Sequence, residues 1–94
     1  MELYSGALLC RALNCRDLAL ATPDREASER YRNSARQFED AAALHQRGAD
    51  PRVVSFAVDV AYIAQGTARI AEVRAEAEKM VADNGRRIAA LRVA

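Results

Sequence analysis

The sequence predicts an all-α protein, and three observations about composition and pattern support this. The chain has 94 residues, of which 51% are hydrophobic and 29% charged, and alanine supplies 21 positions. Four glycines, two prolines and no tryptophan favour helix over a β-sandwich or barrel. Apolar residues recur at helical spacing, and two proline-containing stretches divide the chain into three segments. We therefore expect a single all-helical domain over residues 1–94.

The first predicted helix covers about residues 3–21 and is apolar around most of its circumference. A helix of this kind has to be covered on more than one side. The rest of so short a chain offers limited cover, since a small domain buries a small share of its surface. We therefore expect this helix to pack across the other two and to contact a partner through Leu9, Leu13 and Leu20.

The second predicted helix covers about residues 23–47 and carries one narrow apolar stripe. Thr22 is expected as its N-cap and Pro23 as its first residue, because threonine caps well and proline lacks only an N–H that would be unpaired there. Gly48 can adopt the left-handed conformation that ends a helix. His45 lies in the last turn, where the helix dipole favours a cation.

The third predicted helix follows Asp50 as N-cap and begins at Pro51. A link this short between two helices predicts an antiparallel helical hairpin. The helix carries two heptad seams, which predict two packing partners along one helix. The bulky seam comprises Val53, Phe56, Val60, Ile63, Thr67, Ile70, Arg74, Ala77, Val81, Asn84, Ile88 and Leu91. The alanine seam comprises Val54, Ala57, Ala61, Ala64, Ala68, Ala71 and Ala75, and it would let another helix approach closely.

The end of the third helix can be placed in two ways. Asn84-Gly85 is a good helix stop and would give a helix over 51–84. The bulky seam stays in register across Gly85, which favours a continuous helix over 51–93. Such a helix would span roughly 60 Å, against about 37 Å for the second helix, and would extend past the hairpin. We expect this C-terminal part to complete a bundle with a second copy or a larger protein through Val73, Met80, Val81, Ile88 and Leu91.

The sequence gives little support for an enzyme or a metal-binding protein. One histidine and two cysteines cannot build a usual structural zinc site, and no nucleophile-elbow, P-loop or zinc-protease motif occurs. Cys10 and Cys15 lie about 140° apart around a helix, so they cannot bridge each other. We expect both to be small core residues in a reducing compartment. No catalytic residue, cofactor or metal ligand is therefore predicted, and the chain is not expected to be an enzyme.

Charge and hydropathy limit which classes of partner and which cellular compartment we expect. The net charge of +1 gives no global field that would attract nucleic acid or a membrane. No apolar run approaches the ~20 residues of a membrane span, and the N-terminus lacks the basic region of a signal peptide. We therefore expect a cytoplasmic protein without membrane contact. Arginine supplies 13 of the 14 basic residues, which we attribute to the codon bias of a high-GC genome. We expect a bacterial source, and a short helical chain without a catalytic motif is typical of phage and mobile-element proteins.

These observations favour a non-enzymatic interaction protein, such as an assembly component, an adaptor or a stoichiometric inhibitor of a larger complex. The alternative is a small nucleic-acid-binding regulator. It would use the hairpin turn together with Arg86, Arg87 and Arg92 as phosphate contacts. Cations near a helix C-terminus are also favoured by the helix dipole alone, which explains these arginines without a ligand.

Overall fold

The computed structural model describes residues 2–93 and confirms the all-α fold. It contains helices α1 (Glu2–Ala21), α2 (Arg25–Gln46) and α3 (Pro51–Val93), and no strand occurs within these residues. The two predicted breaks in the chain are therefore the two turns of the structure. The third helix continues through Asn84 and Gly85, so the longer of its two predicted forms is the one observed.

Helix α2 lies between the other two and packs antiparallel to each of them. Near the turn between α1 and α2, the Ser28 hydroxyl donates to the Ala19 carbonyl at 2.7 Å. At the other end of the same pair, Ser5 Oγ lies 2.6 Å from His45 Nδ1. Because these contacts join opposite ends of the two helices, α1 runs along the full length of α2.

The core is built from small side chains with two aromatic residues among them. Phe38 and Tyr31 of α2 are the largest fully buried side chains, and most of the others are alanines. The alanine seam of α3 faces α2, with Ala61 and Ala68 completely buried. The Ser34 hydroxyl of α2 donates to the Ala61 carbonyl at 2.9 Å, a contact that requires close approach of the two backbones. Small residues on α3 permit that approach.

The start of α2 differs from the sequence prediction. Its N-cap is Asp24 and not Thr22, because the Asp24 carboxylate accepts a hydrogen bond from the Ala27 N–H at 2.9 Å. The Thr22 hydroxyl is used elsewhere, lying 2.6 Å from the Leu18 carbonyl oxygen and 2.9 Å from a Glu72 carboxylate oxygen. Since that hydroxyl closes α1 and contacts α3, it does not cap α2, and α2 begins at Arg25.

The turn between α2 and α3 follows the prediction. Gly48 has φ +75°, in the left-handed region where residues other than glycine are strained. The Asp50 carboxylate accepts a hydrogen bond from the Arg52 N–H at 2.8 Å, and α3 begins at Pro51. Residues 48–51 therefore form the turn of the antiparallel hairpin.

Helix α3 extends well past the start of α2. Near the end of the hairpin, Glu72, Ala75, Glu76 and Lys79 line a cavity together with the turn at residues 22–24. Residues 80–93, which we call the overhang, are exposed except for half-buried Asp83. The molecule is accordingly 68 Å long and has a radius of gyration of 18.5 Å, against about 12 Å for a compact chain of this length.

Candidate protein-binding surface

Bulky apolar side chains line the face of α3 that points away from α2. Residues two apart on a helix lie about 160° apart around its axis, so Ile63 is nearly opposite Ala61 and Ile70 nearly opposite Ala68. Because the alanine seam faces α2, the bulky seam faces outward. The exposed bulky members of this seam, which we call the α3 stripe, are Val53, Phe56, Ile63, Ile70, Val81, Ile88 and Leu91.

Of the two packing partners predicted for α3, the described chain supplies one. Helix α2 covers the alanine seam, while most of the bulky seam is left uncovered by residues 2–93. Phe56 is 71% exposed and makes no part of the core. Phe56 is therefore a surface residue that could anchor a partner, and not a core residue.

The overhang continues the stripe beyond the hairpin. Met80, Val81, Ile88 and Leu91 are all exposed. Val73, which precedes the overhang, is half exposed. The five C-terminal residues predicted as contacts therefore lie at the surface. Val73 and Met80 flank the stripe on the side of α3 that carries Tyr62, since these three residues lie within about 20° of one another around the helix.

A second, shorter stripe lies on α1. Leu9, Leu13 and Leu20 are exposed, and we call them the α1 stripe. The Arg11 guanidinium lies 5.3 Å from the centroid of the Tyr62 ring, so this side of α1 faces α3. The three leucines lie within about 20° of the direction opposite Arg11. The α1 stripe is therefore on the edge of the molecule that points away from α3.

The accessible area of the chain shows how much surface is uncovered. It is 6796 Å², whereas a compact monomer of 10.3 kDa exposes about 5,400 Å². The excess is on the order of 1,400 Å². The exposed bulky apolar side chains are concentrated on the overhang and the two stripes.

The three C-terminal arginines do not form a common patch. Arg86, Arg87 and Arg92 are exposed, but they lie at least about 100° apart around α3. Arg86 also pairs with Asp83 one turn earlier. The phosphate-binding alternative would require these side chains to converge, and the helix spreads them over three faces.

The two cysteines have different environments. Cys15 is buried, with its Sγ 3.7 Å from Ser34 Oγ, as expected for a small core residue. Cys10 is exposed, so its predicted place in the core is wrong. The reason is the 140° between the two positions, because a helix that buries one face against α2 can bury only one of them.

Ser5 and His45 form a contact that the sequence did not reveal. They are 40 residues apart, and no motif links them. The Tyr4 ring packs edge-on against the His45 ring at 4.8 Å, beside an open cavity of about 440 Å³. Ser5 is 1% exposed, which keeps its hydroxyl from an incoming substrate. Within the described residues no carboxylate pairs with His45, so the contact fastens the start of α1 to the end of α2.

Glu72 of α3 contacts α2 and the residue that follows α1, where the hairpin ends. Its carboxylate accepts hydrogen bonds from Thr22 at 2.9 Å and from the Tyr31 hydroxyl at 3.4 Å, and it pairs with Arg69. Burial would raise the pKa of Glu72, but these hydrogen bonds and the Arg69 charge outweigh it and lower the pKa below 4.5. Burial, and then the Glu72 charge, raise the pKa of Tyr31. This cluster is a structural clamp.

Within residues 2–93, no three His, Cys, Asp or Glu side chains lie together in a way that could hold a metal ion. None of the helices in that range combines the length and the apolar character needed to cross a membrane. Comparison with protein families, curated proteins and solved structures found no match. The apolar stripes are therefore the features of the surface from which a function can be argued.

Proposed function

We propose that this chain is a non-enzymatic protein–protein interaction module, acting as an assembly component, adaptor or stoichiometric inhibitor. The observation that carries the proposal is the α3 stripe, a row of bulky apolar side chains along a 43-residue helix. Contiguous exposed apolar patches larger than a few hundred Å² mark interaction surfaces on soluble proteins. Covering such a surface contributes about 25 cal/mol per Å² of apolar area.

The overhang supports the same proposal through its marginal stability. A helical segment of 14 residues without tertiary contacts is only marginally stable in water. Gly85 weakens this segment further, by about 1 kcal/mol relative to alanine. The bulky residues Val81, Ile88 and Leu91 are exposed in the isolated chain, whereas on a partner they would be buried. Their positions are explained by a bound state.

The two stripes face different directions, which suits a chain that joins two components. The α3 stripe points away from α2, and the α1 stripe lies on the edge away from α3. One bound protein of ordinary size would not cover both without wrapping around the bundle. We therefore expect separate contacts, with the α1 stripe free when the α3 stripe is occupied.

A pull-down with two matched variants tests the proposal. Tagged wild type, Ile88→Glu and Ala90→Glu are used to capture proteins from a lysate of the native host, with nuclease treatment throughout. The two substitutions add the same carboxylate to the overhang, on faces about 160° apart. We expect wild type and Ala90→Glu to recover the same protein in near-stoichiometric amount, which can be untagged copies of the chain itself. Ile88→Glu should fail to recover it. Equal recovery by all three variants would contradict the proposal, and recovery that depends on nucleic acid would favour the alternative regulator.

A further inference from the structure

We propose that the α3 stripe binds the α3 stripe of a second copy in antiparallel orientation, with the two-fold axis level with position 72, between Ile70 and Arg74 on the outer face of α3. In this dimer the overhang of each protomer covers Val53–Ile63 of the other. The dimer rests on the proposed function, because it assigns a partner to the surface that carries it.

The order of bulky residues along the stripe is self-complementary about position 72. Val53 and Leu91 each lie 19 positions from it, Phe56 and Ile88 lie 16, and Ile63 and Val81 lie nine. Antiparallel pairing therefore places Val53 against Leu91, Phe56 against Ile88 and Ile63 against Val81, each layer occurring twice. In an antiparallel coiled coil such layers bring positions a and d of the heptad together, as this register does.

A parallel dimer fits the same helix less well. Parallel in-register pairing places each seam residue against its own copy, so Arg74 would meet Arg74 within the seam. Two like charges held together in this way are destabilising. The antiparallel register instead places Arg74 against Ile70 of the other copy, where the aliphatic part of the arginine can pack and its charge can reach solvent.

The residues that flank the stripe are complementary in charge and size. On one side, the antiparallel register places Asp59 beside Arg87 of the second copy and Gly66 beside Met80. On the other side, Glu78 of the second copy lies beside Ala64, in a groove that also contains Arg30 of α2. Opposite charges of the two copies therefore meet at Asp59 and Arg87. Glu78 approaches Arg30, which also pairs with Glu26, and a glycine faces the long methionine side chain.

The uncovered area is of the size that a stable dimer needs. The chain exposes on the order of 1,400 Å² more than a compact monomer, or about 2,800 Å² for two chains with the α1 stripes included, and obligate homodimers typically bury 2,000–5,000 Å². The lengths also agree, since the overhang spans about 21 Å and residues 53–63 span about 17 Å. Each overhang can therefore reach across the region that its partner leaves uncovered.

Cross-linking through one introduced cysteine per chain tests the orientation and the register. Exposed Cys10 is first replaced by serine, and buried Cys15 is retained. Ile63→Cys and Val81→Cys chains are prepared separately in this background and treated with a short bis-maleimide, alone and as a mixture. In the proposed dimer residue 63 faces residue 81, whereas two copies of residue 63 lie about 27 Å apart. We expect cross-linked dimer from the mixture and none from either variant alone.

Each other outcome has a distinct meaning. Cross-linking of each variant to itself would overturn the antiparallel orientation. A wild-type chain that stays at 10.3 kDa at every concentration would overturn the second copy as the occupant. The pull-down then decides the proposed function. A different host protein, lost with Ile88→Glu and kept with Ala90→Glu, would leave the interaction module standing with another partner, whereas no captured protein would overturn both.

Discussion

The two phenylalanines of the chain contribute to different properties of the molecule. Phe38 is fully buried, and its ring meets the Tyr62 ring edge-on at 5.0 Å. Phe56 lies on the outer face of α3 with most of its surface in water. The first stabilises the fold, and the second is available for binding.

Truncation of each phenylalanine separates these roles. Phe38→Ala should lower the free energy of unfolding by about 3–5 kcal/mol, because it removes a buried ring and leaves a cavity. Phe56→Ala should lower it by less than about 1 kcal/mol when measured at low protein concentration, where association does not contribute. Urea unfolding followed by circular dichroism measures both values. A large loss for Phe56→Ala at low concentration would show that it is a core residue.

The Glu72 clamp should make stability depend on pH. Because its pKa is lowered in the folded state, Glu72 contributes stability that is fully present above its ordinary pKa of 4.5 and is lost as the pH falls through the lowered value. Glu72→Gln should cost about 1–2 kcal/mol at pH 7, and its difference from wild type should shrink at acidic pH. Glu76→Gln, one turn further along and exposed, is the control. A difference from wild type that stays constant down to pH 3 would argue against the clamp.

At the scale of the helices, local signals in the sequence were sufficient for much of the structure. Gly48, Asp50 and Pro51 predict the turn between α2 and α3 because each residue type has one strong conformational preference. The capping of α2 was misplaced because Thr22 and Asp24 are both good caps, and the choice depends on Glu72, 50 residues away. The contact between Ser5 and His45 is equally nonlocal, so no local pattern indicates it.

The heptad pattern identified the two seams of α3 but not which one would be exposed. Both are apolar, and hydrophobicity alone favours burial of the bulkier one. Close packing against α2 selects the small residues instead, because the Ser34 hydrogen bond to the Ala61 carbonyl requires near contact of the helices. The bulky residues are thereby left to form the candidate site.

Ala68→Leu should disrupt the contact between α2 and α3. Ala68 is completely buried, and a larger side chain there would separate the helices. We expect a loss of about 1–3 kcal/mol in the free energy of unfolding, typical of overpacking. Ala82→Leu makes the same change on the exposed overhang and should be close to neutral. Similar stabilities of the two variants would show that the alanine seam does not face α2.

Gly85→Ala should stabilise the overhang. A Cβ atom at this position meets nothing within 4 Å, so the change acts through helix propensity alone and contributes about 1 kcal/mol. Amide hydrogen exchange over residues 80–93, measured at low protein concentration, should become slower by up to about fivefold, while exchange in α2 stays unchanged. Unchanged exchange in the overhang would indicate that the helix does not continue through Gly85 in solution.

The whole molecule is an elongated bundle in which one helix is much longer than its neighbours. Its radius of gyration and its accessible area both exceed those of a compact chain of this size. A second copy would cover the α3 stripe and leave the α1 stripe on the outside of the dimer. Leu13→Glu should therefore leave dimer formation intact while weakening capture of any further protein through α1. Size-exclusion chromatography and the pull-down measure these two effects separately.

Sedimentation equilibrium of wild type, Ile88→Glu and Ala90→Glu tests most directly whether the α3 stripe is a contact surface. Wild type and Ala90→Glu should have a mass of about 21 kDa at micromolar concentration, twice the 10.3 kDa of one chain. Ile88→Glu should approach 10.3 kDa, because a carboxylate replaces an apolar contact in two layers of the dimer. A mass of 10.3 kDa for all three proteins at every concentration, or an undiminished dimer in Ile88→Glu, would contradict the assignment of the stripe as the self-association surface.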